Sequence, residues 1–271
     1  IMSEMKSKNL AKKIRINSLK MVYKAKASHI GSALSIVDIV AVLYSRVMKF
    51  NPDNAQDVDR DRFILSKGHA CVAVYSALYE IGFISEQDVQ TYGEDFSWLM
   101  NHISHKVPGV EFSTGALGHG LPVAVGKALA AKVKKERWRV FALLSDGEMD
   151  EGSNWEALMF ASHHKLSNLT VIIDYNKLQS LDSVSNTLGL EPLKEKIEAF
   201  GCDVLQIDGH DHTVLQSSFN SRVSDKPLVI IADTIKGKGV SFMENKVKWH
   251  YKNPNDQELI DALSELEGDY A

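Results

Sequence analysis

The stretch Leu143–Leu178, LLSDGEMDEGSNWEALMFASHHKLSNLTVIIDYNKL, decides the fold. An apolar run, Arg139 to Leu144, stops abruptly at Ser145-Asp146-Gly147-Glu148. A helix-like segment follows, then a second apolar run, Leu169 to Ile173, ending in Asp174-Tyr175-Asn176. Strand, tight turn, helix and strand make a βαβ unit. Polar residues at the carboxyl ends of its two strands meet at the rim of a parallel sheet, where α/β proteins bind ligands. Asp146 and Asn176 are 30 residues apart, enough for one crossover helix between adjacent strands. Both carry hard oxygen donors suited to Mg²⁺ or Ca²⁺, and Mg²⁺ takes few protein side chains, leaving its other positions to water and phosphate. The pattern suggests a metal-held diphosphate. Asp-Gly and Asn also make ordinary turns after strands, and spacing alone leaves that reading open.

Working outward, Leu10 to Ala27 has helical spacing, with Ile14, Leu19, Met21 and Val22 on the apolar side. Ser28-His29-Ile30-Gly31-Ser32 breaks the pattern, and Ser35-Ile36-Val37-Asp38 begins another helix reaching Phe50. Arg62–Leu65 reads as a short strand, and Ser66-Lys67-Gly68-His69-Ala70 opens a helix to about Ile81. A Gly-containing strand-to-helix turn presents backbone N–H groups, and a histidine beside it can donate to phosphate. Glu86 to Tyr92 reads as a short helix before loops.

Glycines in Ser113-Thr114-Gly115-Ala116-Leu117-Gly118-His119-Gly120 let the backbone approach a ligand closely, and an alanine-rich helix continues to about Lys134. Past the opening stretch come a helix from Pro192 to Phe200, a strand Asp203–Ile207, a helix from Thr213 to Arg222 and a strand Pro227–Asp233. The expected fold is α/β: a parallel sheet of about five strands with helices on both faces, in one domain over residues 1–271. The Gly-Lys pairs in Lys236-Gly237-Lys238-Gly239 lack the order of a P-loop.

A Gly-Asp-Gly opening followed about thirty residues later by Asn is the thiamine-diphosphate signature, and Ser145-Asp146-Gly147-Glu148 to Asn176 resembles it, with serine replacing the first glycine. From about Lys20 to His250 the chain resembles the amino-terminal half of transketolase. Leu65-Ser66-Lys67-Gly68-His69-Ala70 matches that family's Leu-Ser-x-Gly-His-Ala in full. The resemblance implies that Asp146, Asn176 and the Leu178 carbonyl hold Mg²⁺ (or Ca²⁺ or Mn²⁺), that Gly147, His69 and His250 serve the diphosphate, and that Glu148 is among the cofactor-binding residues. It sets Gly115 and Leu117 against the cofactor rings, and makes His29, His69, His102, His250 and Glu151 active-centre groups.

His102 is the closer equivalent of the substrate histidine in Asn101-His102-Ile103-Ser104-His105, with His105 an open alternative. Ser28 and Ile30 beside His29, and His119 in place of the usual glutamine, depart from the pattern. Glu151 and Glu156 are helix-start carboxylates that complement the dipole; in the family they also join hydrogen-bond networks to a partner subunit. His163 and His164 read as dipole partners, and His210 and His212 as structural.

The implied reaction passes a two-carbon ketol unit from a ketose to an aldose through a carbanion stored on thiamine diphosphate. The family also needs a pyrimidine-binding domain and a carboxyl-terminal domain. These are expected on a partner chain, with the pair working as αβ and dimerising to α2β2. The alternatives are the α subunit of a thiamine-dependent 2-oxo acid dehydrogenase or decarboxylase, a non-catalytic regulatory subunit, and a plain nucleotide-binding α/β domain. Composition is ordinary, with 44% hydrophobic and 24% charged residues. The net charge of −4 gives no basic field for nucleic acid or an anionic membrane. No apolar run reaches transmembrane length. Cys71 and Cys202 lack metal-ligand spacing and read as buried free thiols of a cytoplasmic protein.

Overall fold

In the computed structural model, which describes residues 2–221 and 224–268 with side chains from residue 6 onward, all strand pairs are parallel. The strands are β1 (Arg62–Leu65), β2 (Val140–Ser145), β3 (Leu169–Tyr175), β4 (Asp203–Asp208) and β5 (Leu228–Asp233), in the spatial order β1-β2-β3-β5-β4. Ser145 pairs in register with Asp174, so β2 and β3 finish level with each other.

Side chains alternate across the sheet with the two-residue period of a strand. Phe141, Leu143, Ile172 and Ile230 enter one apolar cluster, while Ala142, Leu144, Val171, Ile173, Val229 and Ile231 enter another. All seven residues of β3 are buried, as expected of a strand covered on both faces. The first cluster is closed by α1 (Met2–Ala25), α2 (Ile30–Ser35), α3 (Val37–Val42) and α4 (Cys71–Glu80), and also by α10 (His212–Asn220) and α11 (Asp256–Gly268). The second is closed by α6 (Gly120–Lys134), α7 (Gly152–His163) and α9 (Leu193–Ala199). Two short helices, α5 (Glu86–Gln90) and α8 (Val184–Thr187), lie in the connections. The expected α/β sheet of five strands is therefore present, with helices on both faces.

Several boundaries differ from the sequence reading for identifiable reasons. The break between the first two helices runs from Lys26 to His29; Lys26 adopts φ 50° and His29 φ 74°, and helix resumes at Ile30 rather than Ser35. Gly31 lies inside this helix, where a Cβ would stand 3.2 Å from the carbonyl oxygen of Trp249, so the glycine lets the segment carrying the fully buried Trp249 pack close. This helical region is also not continuous to Phe50: α3 passes into a π-turn, Leu43–Val47, and stops. The helix expected from Ser66 begins as a 3₁₀ turn, Gly68–Ala70, before α4. A Cβ on Gly68 would sit 2.4 Å from the Thr114 carbonyl oxygen, so only glycine lets the loop carrying Thr114 close over this turn. Helix α10 ends at Asn220; Arg222, its expected end, lies outside the described residues. Helix α11 was not anticipated.

A buried clamp joins the helices of the first face. Asp38 of α3 accepts two hydrogen bonds from the Arg15 guanidinium of α1, at 3.1 and 2.6 Å. His210 and His212 add contacts of 2.7 and 3.0 Å. Burial opposes the Asp38 charge, but Arg15 and the two imidazoles hold its carboxyl well below the usual range. His210 Nε2 accepts from the Ile235 amide, so both turn histidines serve structure. Cys71 and Cys202 are buried and free. No helix among the described residues is long and apolar enough to cross a membrane.

Candidate active site

Because β1, β2 and β3 are parallel, the residues that follow them emerge at one edge: Ser66–His69, Asp146–Gly147 and Asn176–Leu178. Asp146 spans two of these turns. Its Oδ1 accepts from the Gly147 amide at 2.7 Å and its Oδ2 from the Lys177 amide at 2.5 Å, while its own amide donates to the Asp174 carbonyl at 3.2 Å. Asn176 Oδ1 accepts from the Leu178 amide and its Nδ2 donates to Asp174. Ser145 fits the turn with its side chain, which accepts from the Glu148 amide at 3.2 Å.

A cleft of about 270 Å³ opens over this edge, lined by His29, His69, His102, Gly115, Leu117, Asp146, Gly147, Asn176, Leu178 and His250. Ten of the twelve expected site residues therefore meet there. Four imidazoles surround the opening: the His29 ring lies 5.0 Å from those of His69 and His250 and 5.8 Å from that of His102. The loop bearing His102 is held by α4, whose Tyr75 hydroxyl donates to the His102 carbonyl and accepts from the Ser104 amide, both at 3.1 Å. Two segments far apart in sequence clasp each other at the rim. The His29 amide donates to the His250 carbonyl at 2.8 Å, and the Ser28 hydroxyl to the Tyr251 carbonyl at 2.9 Å.

Glu148 and Glu151 are not cleft residues. Glu148 is fully buried behind the cleft and accepts from the Ser66 hydroxyl at 2.5 Å and the Gly118 amide at 2.9 Å. It ties the two glycine-containing loops to the end of β2. Glu151 is the exposed residue preceding α7, and Glu156 lies exposed on that helix. His105 is exposed and bonded to Ser113, away from the cleft, so His102 is the imidazole delivered to it. The His119 ring donates to the Leu117 carbonyl at 2.9 Å and shapes that loop from outside.

Sequence reading missed two lysines. Lys67 is 1% exposed and its ammonium meets Asp174, which is 0% exposed, at 2.6 Å. Ser35 donates to the same carboxylate at 2.6 Å, and Thr234 donates to it as well. Burial opposes the Asp174 charge, but Lys67 and these donors hold its carboxyl below the ordinary value. Lys236 donates to the Leu178 and Gln179 carbonyls at 3.1 and 3.2 Å and to His250 Nδ1 at 3.1 Å. Burial, then the Lys67 charge, lowers its pKa to about 8. The one available signal was a Gly-Lys-rich segment closing over a sheet edge.

Electrostatics divide the cleft. Burial, then the charges of neighbouring imidazoles and lysines, lowers His29 to about 4. Burial, then Lys236, lowers His250 to about 3. Burial, then Lys67, drives His69 well below its usual value, and burial lowers His102. All four are neutral at pH 7 and can donate and accept protons. Asp146 is the opposite case: burial, then the Asp174 charge, pushes its carboxyl up to about 7.

A diphosphate fits the basic side, since an anion relieves the crowding of Lys67, Lys236 and the imidazoles. A divalent cation fits the other side, where the buried Asp146 carboxylate makes no direct ion pair among the described residues and its charge is opposed by burial and by Asp174. One carboxylate, one amide oxygen and one carbonyl are a hard donor set that leaves room for phosphate and water.

A family model described as "Transketolase, thiamine diphosphate binding domain" matches residues 6–267. The chain is 42% identical over 258 residues to an apulose-4-phosphate transketolase subunit of Phocaeicola vulgatus, covering 94% of this chain and 92% of that one. It is 38% identical to the 6-deoxy-6-sulfo-D-fructose transketolase subunit SqwG of a Clostridium species, covering 94% of each. Among solved structures, transketolase from Campylobacter jejuni superposes with a TM-score of 0.91 at 32% identity. That match covers 98% of this chain and 43% of the length of that protein.

Proposed function

This chain belongs to the transketolase family, and we propose that it is one subunit of a two-chain transketolase that moves a two-carbon ketol unit from a ketose to an aldose. The observation that carries the reading is the convergence of a neutral histidine quartet, two buried lysines and the Asp146–Asn176 pair in one cleft. Thiamine diphosphate, when bound, supplies the electron sink for breaking and remaking a carbon–carbon bond. Asp146, Asn176 and the Leu178 carbonyl hold Mg²⁺, for which Ca²⁺ or Mn²⁺ can substitute. His69, His250, Lys236 and the Gly147 amide bind the diphosphate, and Gly115 and Leu117 border the cofactor rings.

His250 accepts from Lys236 at Nδ1, so its neutral ring carries the proton on Nε2, facing away from the lysine. That atom and the rings of His29 and His102 hold and release protons at substrate oxygens. Their lowered pKa values keep them uncharged until an anion enters the cleft. Glu148 fixes the loops around them. Glu151 belongs to the face that meets the partner.

The reading assigns the pyrimidine-binding and carboxyl-terminal domains to a partner chain, in an αβ pair that dimerises to α2β2. Relatives named as transketolase subunits and matched over nearly their full length support the need for a partner. The substrates are sugars bearing a phosphate or another distal anionic group, in keeping with the phosphate and sulfo sugars in those names. Two buried free thiols agree with a cytoplasmic location. The test is ketol transfer by the chain with its co-purified partner, thiamine diphosphate and Mg²⁺. Turnover by the chain alone, or turnover by the pair that persists in Asp146→Ala, overturns the reading.

A further inference from the structure

We infer that Tyr251 determines substrate specificity: its ring narrows the mouth of the cleft, and its phenol donates a hydrogen bond to the part of the sugar beyond the two transferred carbons. The inference rests on the ketol-transfer reading and extends it to a residue outside the groups assigned above. Tyr251 lines the cleft yet is 57% exposed, which places its ring at the mouth. A large apolar ring that exposed is normally free to swing, but this one is anchored. Its ring meets that of His250 edge-on at 4.8 Å and that of His29 at 6.1 Å. Its backbone carbonyl takes the Ser28 hydroxyl, and the adjoining His250 carbonyl takes the His29 amide.

The three rings thus form a graded wall, with His250 inward, His29 beside it and Tyr251 at the lip. A ketose whose carbonyl end reaches the inner imidazoles must pass its remaining carbons along Tyr251. The phenol makes no protein hydrogen bond among the described contacts, so it is available to a sugar hydroxyl or a distal anionic oxygen. A phenol fixed by aromatic contacts loses little freedom on binding, which favours recognition over a mobile lysine at the same spot.

The experiment uses the reconstituted pair with Tyr251→Phe and Tyr251→Ala, assayed with five-carbon and seven-carbon ketose phosphates. Thiamine diphosphate affinity is measured separately by calorimetry. Tyr251→Phe keeps the ring and loses the donor, so KM for the ketose rises about three- to tenfold while kcat and cofactor affinity stay unchanged. Tyr251→Ala opens the lip and raises kcat/KM for the seven-carbon relative to the five-carbon substrate. Unaltered KM in Tyr251→Phe, or an unaltered chain-length ratio in Tyr251→Ala, overturns this inference and leaves ketol transfer standing. A wild-type pair that binds cofactor but transfers no ketol unit overturns both.

Discussion

Replacing Lys67 with methionine removes one partner of an ion pair that lies wholly inside the protein, at 2.6 Å. Methionine keeps most of the length of the stem, so the change is chiefly one of charge. Losing one member of a buried pair costs about 3–5 kcal/mol, because the remaining charge is left uncompensated. Asp174 keeps Ser35, Thr234 and Asn176 as donors, which sets the expectation at the lower end, about 3 kcal/mol. At about 2–4 °C per kcal/mol for a chain of this size, the midpoint falls by about 6–12 °C.

The loss depends on pH. In the native protein the Asp174 pKa is depressed, so its contribution is present above the unfolded carboxylate pKa and fades as pH falls through the lower folded value. In the variant, burial prevails and the folded pKa rises above the unfolded one. The deficit is then largest at high pH and shrinks on acidification. Thermal unfolding at pH 8 and pH 5 measures this, with Lys67→Met/Asp174→Asn as the neutral pair expected to recover most of the loss. A single variant within about 2 °C of wild type at both pH values, or a double variant no more stable than the single, refutes the electrostatic account.

Asp146→Asn abolishes Mg²⁺-dependent cofactor binding but stabilises the metal-free protein above pH 7. Its carboxyl titrates near 7 in the fold, so the gain narrows as pH falls from there toward the ordinary carboxylate value; melting in chelator with and without acidification reads it. Diphosphate binding restores the charge on Lys236, whose pKa is lowered to about 8. Calorimetry at pH 8 in buffers of different ionisation enthalpy should show proton uptake that disappears in Lys236→Met, and cofactor affinity should weaken as pH rises above 8. Asp38→Ala strands the buried Arg15 guanidinium and costs about 3–5 kcal/mol in urea unfolding. Glu148→Ala leaves the cleft lining intact but frees Ser66 and Gly118, so its effect should appear as weaker cofactor binding with faster amide exchange in both loops.

The parts of this molecule written in local pattern were legible. β1 was read at its observed bounds, and β2 and β3 within one or two residues, because apolar runs between turn residues carry their own boundaries. Spacing alone pointed to the Asp146–Asn176 pair and to His69 beside its glycine turn; the other cleft residues came with the motifs that resemble transketolase. What escaped depends on contacts distant in sequence. Lys67 is the variable position in a glycine motif, and nothing near it announces a carboxylate 107 residues away. Gly31 reads as part of a break, yet it lies within α2 and packs against Trp249, a contact distant in sequence. Glu148 sits beside the metal turn and so read as a cofactor ligand, yet its side chain points back to Ser66.

The clasp between Ser28–His29 and His250–Tyr251 has a consequence for synthesis. Translation at about 5–20 residues per second separates His29 from His250 by about 10–45 s. During that interval the first-made wall of the cleft has nothing to close against, although the strands that carry Asp146 and Asn176 have already been made. Cofactor therefore cannot act as an early template for the nascent chain; it rewards only a polypeptide whose closing segment has emerged. Sequences between the two segments must reach their sheet unaided or under a chaperone, and vitamin supply is expected to change the lifetime of the finished subunit rather than its rate of folding.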